Sequence, residues 1–368
     1  MNRRDFLRLG GAGLAGAFLL GTAGGRVLAQ AEPSLEAQFK TAAGKYEVPL
    51  ELLLAMGYYN TLWKMPPPSA SAYRKGDPEG RGAYGIMQLT QNPSSNTLGE
   101  AAKLTGLSED RLRNERSANI AGGAAVLSDL VGEPKPKSLN RWQEALTKYS
   151  GTDLYASQVY GVLEGGASLT ISTRERLKLP SQDVEAPRNY TAQSGATDYP
   201  GAVLCPAASC NYTGSSREVS YDIERIVVHV AQGSYSATTS WFENCGAQAS
   251  AHYVVSRKGL VVQCVRDGDV AWHAGWWNTN KHSIGIEHEG YINDPNWFTN
   301  RMYHASAKLS ASCCKKYRIP IDRNHIIGHY QVPGCTSLGG GADCHTDPGR
   351  YWDWKKYMRL IRYYRDHL

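Results

Sequence analysis

Residues 342–354, ADCHTDPGRYWDW, place Asp343, Cys344, His345 and Asp347 within five positions. Imidazole, thiolate and carboxylate groups all bind zinc, and a catalytic zinc takes three protein ligands while keeping one position open for water. Such ligands belong on strand ends or loops, where a rigid sheet can aim them. Two further imidazoles are candidates: His229 inside RIVVHV (225–230) and His329 at the end of HIIGH (325–329). Taken singly, each reads equally as a satisfied core histidine. All ten histidines fall between 229 and 367, so metal or acid–base chemistry is expected in the second half of the chain.

The eight cysteines, Cys205, Cys210, Cys245, Cys264, Cys313, Cys314, Cys335 and Cys344, also lie in that half. No C-x-x-C pair occurs, which argues against a closed structural zinc site. No H-E-x-x-H helix occurs, which argues against the metallopeptidases built on that motif.

The elements that must position these residues read as follows. RIVVHV, AHYVVS (251–256), LVVQCV (260–265) and HSIGIEHEG (282–290) are short and rich in β-branched residues, as strands are. NRMYHASAKLSASCCKKY (300–317) has helical spacing, and WDWKKYMRLIRYYRDH offers a closing helix. Residues 203–368 are therefore expected to form an α/β domain with one mixed sheet. Residues 32–170 read as all-α, from periodic apolar runs in PLELLLAMGYYNTLW, ANIAGGAAVLSDLV and RWQEALTKYSG. Between them, 171–202 is rich in Pro, Ser, Thr and Gly and reads as a linker.

Residues 1–29 carry paired arginines, an apolar Gly-rich run and small residues before a cleavage point. They resemble a twin-arginine signal, which implies export to the periplasm, the wall or the medium. The apolar run is shorter than the roughly 20 residues a spanning helix needs, so no stable membrane insertion is expected after cleavage. An exported chain makes the cysteines disulfide material. Of the +6 net charge, residues 1–29 contribute four Arg and one Asp, leaving a net of +3. That balance gives no support for nucleic-acid binding.

The set RIVVHVAQGSY, SAHYVVSRKG, VAWHAG, SIGIEHEGY, IIGH and HTDPG occurs in this order and closely resembles the type 2 zinc-dependent N-acetylmuramoyl-L-alanine amidases, relatives of peptidoglycan-recognition proteins. The resemblance implies zinc held by His229, His329 and Asp347, and a peptidoglycan substrate. It implies Glu287 as the carboxylate that moves protons between water and the departing amine. Glu289, on the same strand face, reads as a support or an exposed charge. His345 takes the position of an oxyanion donor, one that titrates near neutrality. His252, Trp272 and His273 lie on motifs expected to contact substrate. Relative to the family, a Gly-rich insertion separates Cys335 from Cys344, and the resemblance implies a disulfide closing it.

The order of LLLA, GAYGIMQLT, NIAGGAAVL and ALTKYSG in the first region resembles the lysozyme-like fold of lytic transglycosylases. Those enzymes carry a Glu-Ser pair where this chain has Asn60 and Thr61, and an amide cannot protonate a leaving group. The implied reading is a glycan groove that has lost its catalysis; Glu47 or Glu51 would be the acid of a residual glycosidase, making a bifunctional wall hydrolase. Loss of the metal would instead leave a non-catalytic peptidoglycan-recognition module.

Overall fold

A computed structural model of the chain describes residues 32–173, 175–185, 196–215, 217–333 and 345–368. The expected signal (1–29) and the expected Cys335–Cys344 disulfide lie outside the described residues, as do residues 174 and 186–195 of the expected linker. Residues Ser34–Leu368 form one unit by their mutual contacts.

The helical region comprises α1 (Leu35–Tyr46), α2 (Leu50–Thr61), a small hairpin of β1 (Ala83–Tyr84) and β2 (Leu89–Thr90), α3 (Thr97–Thr105), α4 (Glu109–Asn114), α5 (Arg116–Val131), α6 (Gln143–Ser150) and α7 (Asp153–Gly165). Helix α2 is the spine: its apolar residues point to all sides, and Leu52 to Gly57 are buried without interruption. A helix apolar all round belongs in a core. Within it, Gly57 admits the Phe39 ring, which a Cβ there would meet at 2.9 Å.

A second hairpin, β3 (Ala167–Ser172) and β4 (Glu175–Leu179), falls where the sequence reads as the start of a linker. Leu177 and Leu179 alternate with charged residues and are buried in the helical core. The two-residue period is short and masked by Glu175, Arg176 and Lys178, which is why composition reads it as linker.

The sheet region follows with β5 (Val203–Leu204), β6 (Tyr212–Thr213), α8 (Arg217–Ser220), β7 (Arg225–Val230), α9 (Tyr235–Phe242), β8 (Tyr253–Val255), β9 (Val261–Gln263), β10 (Val270–Ala271), α10 (Trp277–Lys281), β11 (Ser283–His288), α11 (Asn300–Tyr317), β12 (Ile326–Gly328) and α12 (Trp354–Asp366). Six strands form one mixed sheet in the order β12-β7-β11-β8-β9-β5. β12, β7, β11 and β8 run parallel, and β8 pairs antiparallel with β9. The near-continuous apolar run of β7 is what a strand covered on both faces requires. Helices α11 and α12 cover one face, burying Met302, Leu309, Tyr357 and Ile361 against Ile226, Val228 and Ile286. Thr299 and Asp353 cap their N-termini, accepting from the amides of Met302 (3.2 Å) and Lys356 (2.9 Å).

Of the cysteines, Cys210 and Cys245 form a disulfide, tying the segment before β6 to the end of α9. Cys205, Cys264, Cys313 and Cys314 are free and buried. This corrects the expectation of pairing for them: they pack as small apolar side chains, Cys313 and Cys314 on the inner side of α11. No described helix is long and apolar enough to cross a membrane.

The two regions meet through specific contacts. Tyr59 of α2 bonds to Ser236 of α9 (3.0 Å), and Lys64 pairs with Asp294 (2.9 Å). The segment 74–82, which precedes β1, reaches furthest: the Gly76 amide donates to the Ala247 carbonyl (2.9 Å), and the buried Arg81 guanidinium donates to the carbonyls of Ala231 and of Gln232, the latter at 2.6 Å.

Candidate metal centre

The centre lies at the carboxyl ends of three adjacent parallel strands, the usual place for a ligand in such sheets. His229 is the fifth residue of β7, Glu287 stands opposite it in register on β11, and His329 follows directly on β12. Asp347 comes from the loop before α12 and is braced by the Val230 amide (3.3 Å). Its Oδ1 lies 3.1 Å from His329 Nδ1 and its Oδ2 3.4 Å from His229 Nδ1. Thus the three residues singled out in sequence converge. A fourth, Glu79 from the 74–82 segment, joins them with Oε1 3.8 Å from His329 Nδ1. Ligand atoms of Glu79, His229, His329 and Asp347 all lie within 4.8 Å of one another, and all four residues are buried.

Buried polar atoms are ordinarily hydrogen-bonded. Here His229 Nδ1, both ring nitrogens of His329, Asp347 Oδ1 and Glu79 Oε1 have no hydrogen-bond partner, although several lie in ion-pair contact. Two imidazoles and carboxylate oxygen turned together in this way suit a zinc-sized cation. Both Glu287 oxygens are also buried without a partner.

Hydrogen bonding fixes which nitrogen His229 presents. Ser283 Oγ donates to the Thr279 carbonyl (2.5 Å), so it accepts from His273 Nε2 (3.1 Å). His273 Nδ1 is then the acceptor for His229 Nε2–H (3.0 Å). That leaves the lone pair of His229 on Nδ1, facing Asp347. A ligating histidine held by its other ring N–H is the common arrangement at metal sites. Gly285 makes room for the relay, since a Cβ there would lie 2.4 Å from the His273 ring.

Electrostatics agree with this assignment for His229 and set His329 apart. Burial, reinforced by His329, holds His229 down at about 4, so its ring is neutral at pH 7. Burial opposes a charge on His329, but the adjacent Asp347 carboxylate outweighs it and lifts the ring to about 10. Burial, with the charge of Asp347 adding to it, pushes Glu287 up to about 8.

The other sequence candidates divide. Glu289 is engaged as a support, accepting from the amides of Tyr235 (3.2 Å) and Arg257 (2.7 Å). His345 stacks on His329 with ring centroids 3.5 Å apart. Burial and the neighbouring His329 hold it at about 4, below the near-neutral titration the sequence suggests, so it is a neutral N–H donor at pH 7.

His252 and His273 are corrections. Both are fully buried behind the centre rather than on a substrate surface. His252 Nδ1 accepts from the Gly285 amide (3.0 Å), and its Nε2 faces the Asp269 carbonyl (3.3 Å) and Arg217. Trp272 is half-buried, donates to Thr213 Oγ1 (2.9 Å) and lines an open cleft of about 300 Å³ with Gly76, Gly275 and Trp277. Sequence reasoning missed Glu79, Arg81, Ser283 and Gly285. The run KGDPEGRG around Glu79 has only a turn signature, and the absence of histidine before 229 directed attention away from it.

Two histidines from the ends of a mixed sheet, an aspartate from the loop before α12 and Glu79 form a buried cluster that could hold a metal ion. Comparison with known proteins narrows this. The family model described as N-acetylmuramoyl-L-alanine amidase matches residues 219–350. N-acetylmuramoyl-L-alanine amidase A of Achromobacter lyticus is 35% identical over 177 residues, covering 45% of this chain and 96% of that protein. The 1,6-anhydro-N-acetylmuramyl-L-alanine amidase AmpD of Haemophilus influenzae is 32% identical over 121 residues, covering 31% of this chain and 60% of its own length. A crystal structure of an AmpD derivative aligns at 25% identity and a TM-score of 0.36, over 45% of this chain and 99% of that one. The chain belongs to the N-acetylmuramoyl-L-alanine amidase family, and it is an amidase.

Proposed function

We propose that the centre is a zinc site at which the chain hydrolyses the amide joining the lactyl group of N-acetylmuramic acid to L-alanine of the peptidoglycan stem peptide. The observation that carries this reading is the convergence of unpartnered ligand atoms on His229, His329 and Asp347 beside a carboxylate, Glu287, that nothing else engages.

When bound, zinc supplies Lewis-acid chemistry, polarising a carbonyl and lowering the pKa of a water to roughly 7. The remaining steps belong to the chain. Glu287 removes a proton from the attacking water as the C–O bond forms at the amide carbon. It returns that proton to the nitrogen as the C–N bond breaks. A carboxyl buried beside the ligands, with neither oxygen engaged by another group, is placed for both halves of this exchange. The His345 ring N–H is the donor to the oxygen that gains charge. His273 and Ser283 hold His229 in its ligating tautomer, and Trp272 and Trp277 offer faces to a sugar in the adjoining cleft.

The test is to incubate the purified protein with peptidoglycan, with and without a chelator, and measure new L-Ala amino termini and bound metal. Chelator-sensitive release supports the reading. Binding without release, both by this chain and by variants altered in the 74–82 segment, would leave a recognition module, and cleavage within the peptide would make it a peptidase.

The lysozyme-like resemblance of the helical region is carried as a non-catalytic reading. It is supported by Asn60, which is fully buried with its amide donating to the Ile86 carbonyl (3.3 Å). Release of anhydro or reducing sugar ends by a Glu287→Gln variant would overturn it. Export by a twin-arginine signal, with cleavage near residue 29, is checked by sequencing the N-terminus of the secreted protein. The Cys335–Cys344 disulfide is checked by peptide mapping without reduction.

A further inference from the structure

A catalytic zinc needs an open coordination position, whereas four protein ligands make a closed site. This chain brings four ligand-bearing residues together, and one arrives from outside the sheet region. We propose that Glu79 is a fourth protein ligand of the metal, and that the folded chain is therefore a latent amidase whose centre is closed by its own 74–82 segment. The inference rests on the metal-site reading above.

The segment is fastened on both sides of Glu79. Ahead of it, the Gly76 amide donates to Ala247, and the Asp77 carbonyl accepts from the Trp241 indole (3.4 Å). Behind it, Arg81 is buried and its two terminal nitrogens donate to the Ala231 and Gln232 carbonyls, immediately after the strand that carries His229. Gly233 is shaped for this guest: a Cβ there would fall 1.8 Å from the guanidinium. Within the segment, Asp77 orders the turn, accepting from the Glu79 amide (2.8 Å) and pairing with Arg74 (2.9 Å). Glu79 itself is only 7% exposed, with Oε1 lacking a hydrogen-bond partner. A carboxyl group held in that position, its Oε1 without a hydrogen-bond partner and facing His329 Nδ1 at 3.8 Å, has the placement of a ligand. Opening requires the segment to withdraw, which frees the fourth position for water.

The test compares the full-length protein with its Glu79→Gln and Arg81→Ala variants. Zinc affinity is measured by chelator competition, and release of L-Ala termini from a soluble muropeptide is measured at saturating zinc. Loss of an outer-shell partner alone costs roughly 10- to 100-fold in metal affinity. Glu79→Gln is therefore expected to weaken zinc binding by at least about tenfold, yet to raise turnover. Arg81→Ala leaves all four ligands in place and is expected to raise turnover as well, which keeps the latch testable should Glu79→Gln fold poorly. Unchanged zinc affinity in Glu79→Gln, or turnover at saturating zinc that falls in either variant, overturns the proposal. If no protein releases L-Ala while zinc affinity falls as expected, the amidase reading fails and the fourth ligand stands.

Discussion

The helical and sheet regions both bury polar side chains, but they use them in opposite ways. Asn119 on α5 is fully buried with its amide group engaged throughout: Oδ1 accepts from the Met87 amide (2.8 Å), and Nδ2 donates to the carbonyls of Leu112 (2.9 Å) and Tyr84 (3.0 Å). It is a brace that pins the β1–β2 hairpin to the helices. At the ends of β7, β11 and β12, seven buried nitrogen and oxygen atoms of Glu79, His229, Glu287, His329 and Asp347 lack hydrogen-bond partners. Leaving such groups unpaired costs roughly 1–3 kcal/mol each. The difference separates scaffold from site: polar groups that satisfy one another hold a fold together, and those aimed at a common point await something else.

Four experiments bear on this contrast. Stripping the metal should abolish amidase activity while leaving the helical region folded; activity restored by zinc, with an unchanged circular dichroism spectrum, is the expected result. Persistence of activity in the stripped protein would break the comparison at once. Glu287→Gln should lower turnover by roughly 10²- to 10⁴-fold with zinc still bound, since it removes the proton carrier alone; single-turnover kinetics and metal analysis read the two parts. Asn119→Ala should do the reverse, lowering stability by about 2–4 kcal/mol in denaturant unfolding, with activity per folded molecule retained. Ser283→Ala is the mildest. It removes the end of the His229 relay, and zinc affinity should fall about tenfold with little change in turnover at saturating zinc.

Much of the sheet was legible because its strands are short apolar runs whose period and order are local properties. RIVVHV and HSIGIEHEG become β7 and β11, and their parallel register sets Glu287 against His229. Convergence of the ligands was legible only as a resemblance, since nothing in their spacing brings residues 229, 329 and 347 together. Glu79 was illegible for the same reason in stronger form: it lies 150 positions before His229 and reaches the centre only through packing between regions. The placing of His252 and His273 was misread because motif proximity does not say which side of a strand a ring occupies. Cys205, Cys264, Cys313 and Cys314 were misread because cysteine count carries no information about separation in space.

Strand β11 joins these observations. Ser283, Gly285 and Glu287 are alternate residues and line one of its faces. Along that face run a hydroxyl that anchors His273, a gap that its ring fills, and the carboxylate that moves protons. A single methyl group added at Gly285 would displace the ring and leave the proton of His229 unassigned, although neither residue is a neighbour in sequence. One strand face thus both sets the proton of His229, through Ser283, Gly285 and His273, and presents Glu287 opposite it in register.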